Sequence, residues 1–325
     1  MRDVVCFGEI LWDVFESGAR GGEPMARAFR RELGGAPANV ATGLARLGVR
    51  VAVVGGVGTD RLGAALVDHL RADGVESRFV LRLPNRTGLT FVFRDARGEP
   101  SFVFYRHESA DLSVRAHHVT PAMGRARWAL VGTSTLMTPE QEKATLRFLD
   151  VAARGGARIF VDLNVRTHLW KDHASMERSI GRLVRHAALV KASDADLRAV
   201  AGKRGLRWLE QHAAGATWLL TRGAGVATAI GAHGQVDVPA LRARCVDATG
   251  AGDAFIAGAV ATVVRARAVP GSPAWNDAGL WRRALRVGHM MGRKAVSRPG
   301  AVAGLVGLGR VRALVEAAGR TKRST

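Results

Sequence analysis

Cysteine is nearly missing from this chain: two occur in 325 residues, Cys6 and Cys245, at no metal-ligand spacing. A chain of this length needs no disulfide scaffold, so zinc-ribbon and disulfide-framework classes are excluded and a reducing, cytoplasmic home is expected. Tyrosine occurs once and aromatics make up 6%, so basic patches interleaved with stacking platforms are absent. No apolar run reaches the length of about 18 residues needed to cross a bilayer, and none is expected to. The opening "MRDVVCFGEILWDV" lacks the basic region, apolar stretch and small-residue cleavage site of a signal peptide.

Common nucleotide and metal signatures are missing too. After Gly56-Val57-Gly58 the third glycine of a Rossmann fingerprint is Arg61, and after Gly250-Ala251-Gly252 it is Phe255. There is no P-loop, no H-E-x-x-H and no G-x-S-x-G elbow. Dinucleotide oxidoreductases, P-loop enzymes, zinc enzymes and serine hydrolases of that type are set aside.

What is present is apolar and basic. Apolar residues make up 47%, enough for a full core, and 39 glycines imply many tight turns. The formal charge is +20, from 48 Lys+Arg against 28 Asp+Glu. The basic residues are scattered along the chain, with only the terminal "GRTKRST" reading as a tail, so a solvated basic surface that attracts anionic metabolites is expected rather than nucleic-acid binding.

Short apolar runs alternate with helical segments. Strands are expected at 49–58, 126–133, 157–163, 188–192 and 217–223, with helices at 62–74, 138–156, 172–187 and near 194–203. This βαβα rhythm implies an α/β body with a mainly parallel sheet and helices on both faces, where ligands gather at the carboxyl ends of the strands. Two regions, about 10–33 and 86–107, break the rhythm with alternating stretches such as "TGLTFVFRD" and "PSFVFYR" around a turn at "ARGE". They are expected to form a small antiparallel β-sheet lid on a single 1–325 domain.

Residues 247–255, "DATGAGDAF", read as a bare turn feeding a helix that starts near residue 252. The first amides of a helix lack internal partners and carry about half a positive charge. Gly250, Ala251 and Gly252 let those amides reach phosphate oxygens, and Asp253, which would repel a phosphate, makes sense as a general base for an attacking hydroxyl. The competing role of Asp253 is a simple helix cap. In "GGAPANVATGLARLG" (34–48), Gly34 and Gly35 permit close backbone approach and Asn39 opens a helix, where it either caps or binds sugar hydroxyls.

Together these two stretches resemble the two signatures of the ribokinase-like (PfkB) carbohydrate kinases. The resemblance extends through "GEILWD", "GGVGTDRLG", "FYRHESADL", "DLNVR", "KASDADL" and "TRGAGV", nearly the whole chain. It implies a three-layer α/β/α body with a β-lid, often paired across a homodimer, and transfer of the ATP γ-phosphoryl group to a sugar hydroxyl with Mg2+. It places Asp13, Gly34, Gly35 and Asn39 at the sugar, Asp253 as base, and the 250–253 amides as an anion hole. It places Thr221, Gly223 and Gly225 in the nucleotide-binding turn, with Gly252 shared by nucleotide and anion hole. Asp247 and Thr249 match positions that hold a monovalent cation, K+ in many members, and "RPGA" (298–301) matches the segment beside adenine and that cation.

The usual N-x-x-E motif, linked with magnesium and phosphate, stands here as Ser193-Asp194-Ala195-Asp196; Ser193 cannot copy an Asn amide, while Asp196 keeps the carboxylate. "DLNVR" is similar to the D-x-N-x-R of fructokinases and 2-keto-3-deoxygluconate kinases, with Arg166 near the phosphate path. "FYR" occurs in both groups, and in the 2-keto-3-deoxygluconate kinases its Tyr and Arg contact the substrate, which places Tyr105 and Arg106 there; packing within the lid is the competing role of Tyr105. Fructose is the expected acceptor, with 2-keto-3-deoxygluconate as the alternative; a non-catalytic sugar-binding regulator is the competing class.

Overall fold

The computed structural model describes residues 1–17, 28–94, 100–305 and 308–320. In chain order the strands and helices are β1 (Arg2–Phe7), β2 (Leu11–Ser17), β3 (Ala28–Gly34), α1 (Ala36–Arg46), β4 (Val51–Gly58), α2 (Arg61–Ala72), β5 (Val80–Leu83), β6 (Leu89–Arg94) and β7 (Pro100–Tyr105). They continue through β8 (Ala126–Gly132), α3 (Pro139–Arg154), β9 (Arg158–Asp162), α4 (His173–Val184), β10 (Ala187–Ser193), α5 (Asp194–Ala201), α6 (Leu206–Ala213) and β11 (Thr217–Thr221). The last are β12 (Val226–Gly231), β13 (Gly234–Pro239), α7 (Ala251–Arg265), α8 (Ala278–Ala295) and α9 (Gly309–Arg320).

Nine strands form one sheet in the order β13-β12-β11-β10-β9-β8-β1-β4-β5. β1 pairs in parallel with both β4 and β8, so the chain order reverses beside β1. Such switch points open crevices at the carboxyl ends of the strands. Alternation along β1 sends Val4 and Cys6 into one core and Val5 and Phe7 into the other. The first core packs under α1, α2, α7, α8 and α9 around Leu44, Phe255 and Trp281; the second packs under α3 to α6 around Phe148, Ile180 and Trp208. Each large apolar side chain so buried contributes about 1.5–3 kcal/mol. The architecture is the expected three-layer one. The sequence reading missed the antiparallel β12–β13 hairpin at the sheet edge, although "VATAIG" and "QVDVP" flank a glycine turn.

A second sheet of four strands, β3-β2-β6-β7, draws on the two regions that break the rhythm. It is not wholly antiparallel as expected: β2–β3 and β6–β7 are hairpin-like pairs, but β2 and β6 run parallel. The long excursion through β4, α2 and β5 returns the chain in the same sense, which a direct turn would not allow. The "ARGE" turn and residues 321–325 of the basic tail lie outside the described residues. Among the described residues no helix is long and apolar enough to cross a membrane.

Candidate active site

The carboxyl ends of the central strands and the inner face of the small sheet enclose a cavity of about 380 Å3. Parallel register sets Gly132 beside Asp162, Asp162 beside Lys191, and Ser193 beside Thr221, so these residues share one edge of the large sheet.

One end of the cavity is made of side chains from separate segments. Asp13 on β2 faces inward, and Gly34 opposite leaves it room: a Cβ there would lie 2.6 Å from the Asp13 carboxyl carbon. Gly35 has φ of +94° and sits so close to the Glu9 carbonyl that a Cβ would be 2.3 Å from the oxygen. These glycines therefore admit the protein's own groups as much as a ligand. The helix α1 begins at Ala36, with Pro37 in its first turn, so Asn39 does not open it as expected. Instead Asn39 Nδ2 donates to Asp253 Oδ2 at 2.9 Å across the cavity. Glu9 accepts from Ser134 Oγ at 2.5 Å and from the Ala36 amide at 3.3 Å. Both Glu9 and Ser134 line the cavity, and sequence reasoning assigned neither a role.

Arg106 is buried against the same end, donating from Nε at 2.8 Å and Nη2 at 2.5 Å to Asp111 Oδ2. Ser109 Oγ secures the other Asp111 oxygen at 2.5 Å. Alternation along β7 turns Phe102 and Phe104 toward the cavity and Tyr105 away from it. Tyr105 is 64% exposed and packs edge-on against Phe91 on the outer face of the small sheet, so the structure does not bring it to the site. Phe104 stacks on His168, tying the small sheet to the segment after Arg166.

The other end is main chain. Gly250 is the N-cap of α7 at φ +74°, and a Cβ there would meet that of Ala301 at 2.4 Å. Only glycine meets both demands. The helix begins at Ala251, one residue earlier than expected. The Ala251 amide closes onto the Ala248 carbonyl at 3.2 Å, while those of Gly252 and Asp253 stand in the first turn, where no intrahelical acceptor exists. Asp253 faces the cavity together with Gly250, Gly252, Thr249 and Arg166.

The carboxylates here are shifted upward. Burial and then the neighbouring Asp253 push Asp13 up to about 7, against the pull of Arg166 and Arg106. Burial likewise raises Asp253, opposed by the Asn39 hydrogen bond, Arg166 and Lys191. Asp162, buried in the cavity wall, is pushed up to about 7 by burial, with Lys191 opposing. Three acids whose charged forms burial disfavours thus stand in one cleft.

Lys191 went unassigned in the sequence, where it stood as the first letter of "KASDADL". It is buried and lines the cavity, with Nζ 3.5 Å from Asp162 Oδ1 and 3.7 Å from Asp196 Oδ2. A Cβ built on Gly252 would lie 3.6 Å from that Nζ. Ser193 and Asp196 themselves do not line the cavity. They form a capping box on α5, and Asp196 also takes the Val165 amide at 2.7 Å. Thr221, Gly223 and Gly225 lie farther along the sheet edge, the two glycines exposed and none of the three in the cavity wall. Asp247 is buried and accepts the amides of Thr249 and Gly300, both at 2.9 Å, which joins the glycine turn to the 298–301 segment. Thr249 Oγ1 is buried with no hydrogen-bond partner.

Residues 1–306 match the family model described as pfkB family carbohydrate kinase. The chain is 33% identical over 273 residues to fructokinase-1 of Zea mays, covering 81% of this chain and 83% of that protein. It is 30% identical to probable fructokinase-4 of Arabidopsis thaliana over 93% of each chain. Among solved structures, fructokinase with bound ATP from Xylella fastidiosa superposes with a TM-score of 0.83 at 29% identity, covering 97% of this chain and 98% of that one.

Proposed function

The chain belongs to the pfkB family of carbohydrate kinases, and on that premise we propose that it is an ATP-dependent fructokinase. One observation carries the reading: Asp253 sits in the first turn of α7, in a cavity, with Asn39 holding one carboxylate oxygen. That arrangement puts a base beside amides aimed at phosphate. The similarity to fructokinases, one of them with bound ATP, supports the donor and the acceptor class.

In this reading Asp13 and Asn39 orient the sugar, and Asp253 takes the proton of the attacking hydroxyl. The Gly252 and Asp253 amides meet the charge that develops on the transferring group. Pre-aimed donors of this kind are usually the largest catalytic contribution. Arg166, close enough to pull on both Asp13 and Asp253, neutralises charge between acceptor and donor. Half-buried Thr221 and exposed Gly223 and Gly225, along the same edge, offer an open turn for the nucleotide. Magnesium, held mostly by phosphates and water with one or two carboxylates, suits Asp162, whose Oδ1 is buried without a hydrogen-bond partner. When bound it neutralises phosphate charge. A monovalent cation beside the turn would share the oxygens of Asp247 and Thr249.

A neutral ketose is favoured over 2-keto-3-deoxygluconate because the Arg106 fork is already spent on Asp111. A carboxylate acceptor would want that fork for itself. The test is phosphorylation of a sugar panel with ATP and magnesium, with and without potassium. Fructose should be the preferred acceptor; preference for the acid sugar would reassign the acceptor, and binding without turnover would point to a regulator.

A further inference from the structure

A buried guanidinium in the wall of a sugar cavity would ordinarily draw acidic sugars, and Arg106 is such a group. We propose that Asp111 is a specificity-determining residue: an internal carboxylate that occupies the Arg106 fork and confines the acceptor to neutral sugars. The inference rests on the kinase reading and deepens it, naming the residue that sets the acceptor class and the change that resets it.

Three observations meet on this pair. First, the two residues lie on different sides of the wall. Arg106 lines the cavity, whereas Asp111 does not, and the Asp111 side chain is wholly buried. The Arg106 Nε and Nη2 converge on Asp111 Oδ2, so the fork is met from outside the cavity. Without that partner, the same N–H groups would be left for a carboxylate on the cavity side.

Second, Asp111 is held in place by its surroundings. Ser109 Oγ secures its Oδ1, and Gly88, just before β6, leaves that oxygen room: a Cβ there would lie 2.4 Å from it. The short turn Ala110–Leu112 is itself pinned to the body. The Ala110 amide donates to the Arg86 carbonyl at 2.8 Å. The Ala110 carbonyl packs on Gly56 of β4, where a Cβ would be 2.2 Å away. Arg106, just past the end of β7, therefore takes its partner from a turn braced against the large sheet.

Third, the Arg106 charge is matched before any sugar arrives. Burial alone would lower its pKa, but Asp111 first, then Glu9 and Asp13, outweigh that. An incoming carboxylate would compete with an anion already in contact and would stand near two further acids. Selection then works by repulsion as well as by attraction. Stability gives little reason to keep such a pair, because apolar residues of similar volume often do as well. A neutral ketose leaves the pair intact and asks only for hydrogen bonds to its hydroxyls.

Asp111 thus acts through Arg106, as a positioning residue. Its removal leaves an uncompensated buried charge that a substrate carboxylate can neutralise.

The test compares wild type, Asp111→Ala, Asp111→Asn and the Arg106→Gln/Asp111→Ala double variant, with fructose and 2-keto-3-deoxygluconate. Two quantities are read: kcat/KM for each acceptor with ATP and magnesium, and thermal melting with each sugar alone. In Asp111→Ala the ratio of kcat/KM, acid sugar over fructose, should rise about a hundredfold, the scale of one or two charge-assisted hydrogen bonds. Asp111→Asn, which keeps a neutral acceptor, should give a smaller rise. The acid sugar should raise the melting temperature of Asp111→Ala and not that of wild type. The double variant should lose both gains.

A folded Asp111→Ala with the wild-type ratio and melting response overturns the proposal. So does a gain that survives Arg106→Gln. Failure of both single variants to fold, even with the acid sugar present, would make Asp111 a structural counterion and also overturns it. Wild-type preference for the acid sugar removes the fructose assignment and the proposal together. A wild type inactive on every acceptor removes the kinase reading alone, because the melting comparison still decides which sugar Asp111 excludes.

Discussion

The two ends of the cavity are made of different material. At the end proposed for the acceptor, Glu9 with Asp13, Asn39 and Arg106 come from three separate stretches of the chain and present side chains. At the end proposed for the phosphoryl group, one continuous turn, 247–253, presents its main chain, with the Lys191 ammonium beside Gly252. A site made of backbone must write itself into consecutive residues, because only glycine tolerates φ of +74° against Ala301. A site made of side chains needs only that the fold bring them together. The first kind is visible as a motif; the second is visible only after folding.

The sharpest break between the two ends should come at the residue they share. Asp253→Asn is expected to lower kcat by a hundred- to ten-thousandfold, the range for loss of a general base, while fructose affinity measured by calorimetry stays within about threefold. Loss of affinity equal to the loss of rate would place Asp253 at the acceptor end alone.

A pH titration tests the coupling across the cavity. Asp13, raised to about 7 by burial and Asp253, is neutral below that pH and charged above it. Fructose affinity should therefore rise as the pH increases through about 7, if the carboxylate accepts hydroxyl hydrogen bonds. Asp253→Asn removes a like charge, so the midpoint should move down, read by carbon-13 NMR of the Asp13 carboxyl. An unmoved midpoint would leave burial as the whole cause.

The smallest effects separate the faces of β7. Phe104→Ala should raise the fructose KM about tenfold, the equivalent of about 1.4 kcal/mol of lost contact. Tyr105→Ala, on the exposed face, should leave kcat and KM within about twofold of wild type. The reverse order in the same assay would mean that the small sheet closes on the sugar with its other face.

Much of the fold was legible because the large sheet is periodic. The β4 and β8 to β11 segments are apolar runs buried on both faces, and the helices between them carry caps such as Thr138 on α3. The small sheet was legible as alternation, but its parallel β2–β6 pairing was not, since pairing sense depends on the route between strands rather than on the strands themselves. Asn39 and Asp253 are 214 residues apart, and no spacing announces their hydrogen bond. Tyr105 stood beside Arg106 in a short motif, yet a strand sends neighbours to opposite faces.

The chain's own letters determined the α/β layering and the bare turn at 247–253. Those follow from periodicity and from steric demands that act within a few residues. Folding alone decided that Lys191 faces Gly252, that Arg106 is spent on Asp111, and that Ser193 and Asp196 hold each other. Such contacts depend on strand register and on competition among charged groups for a few buried partners. That competition is settled only when every candidate is in place.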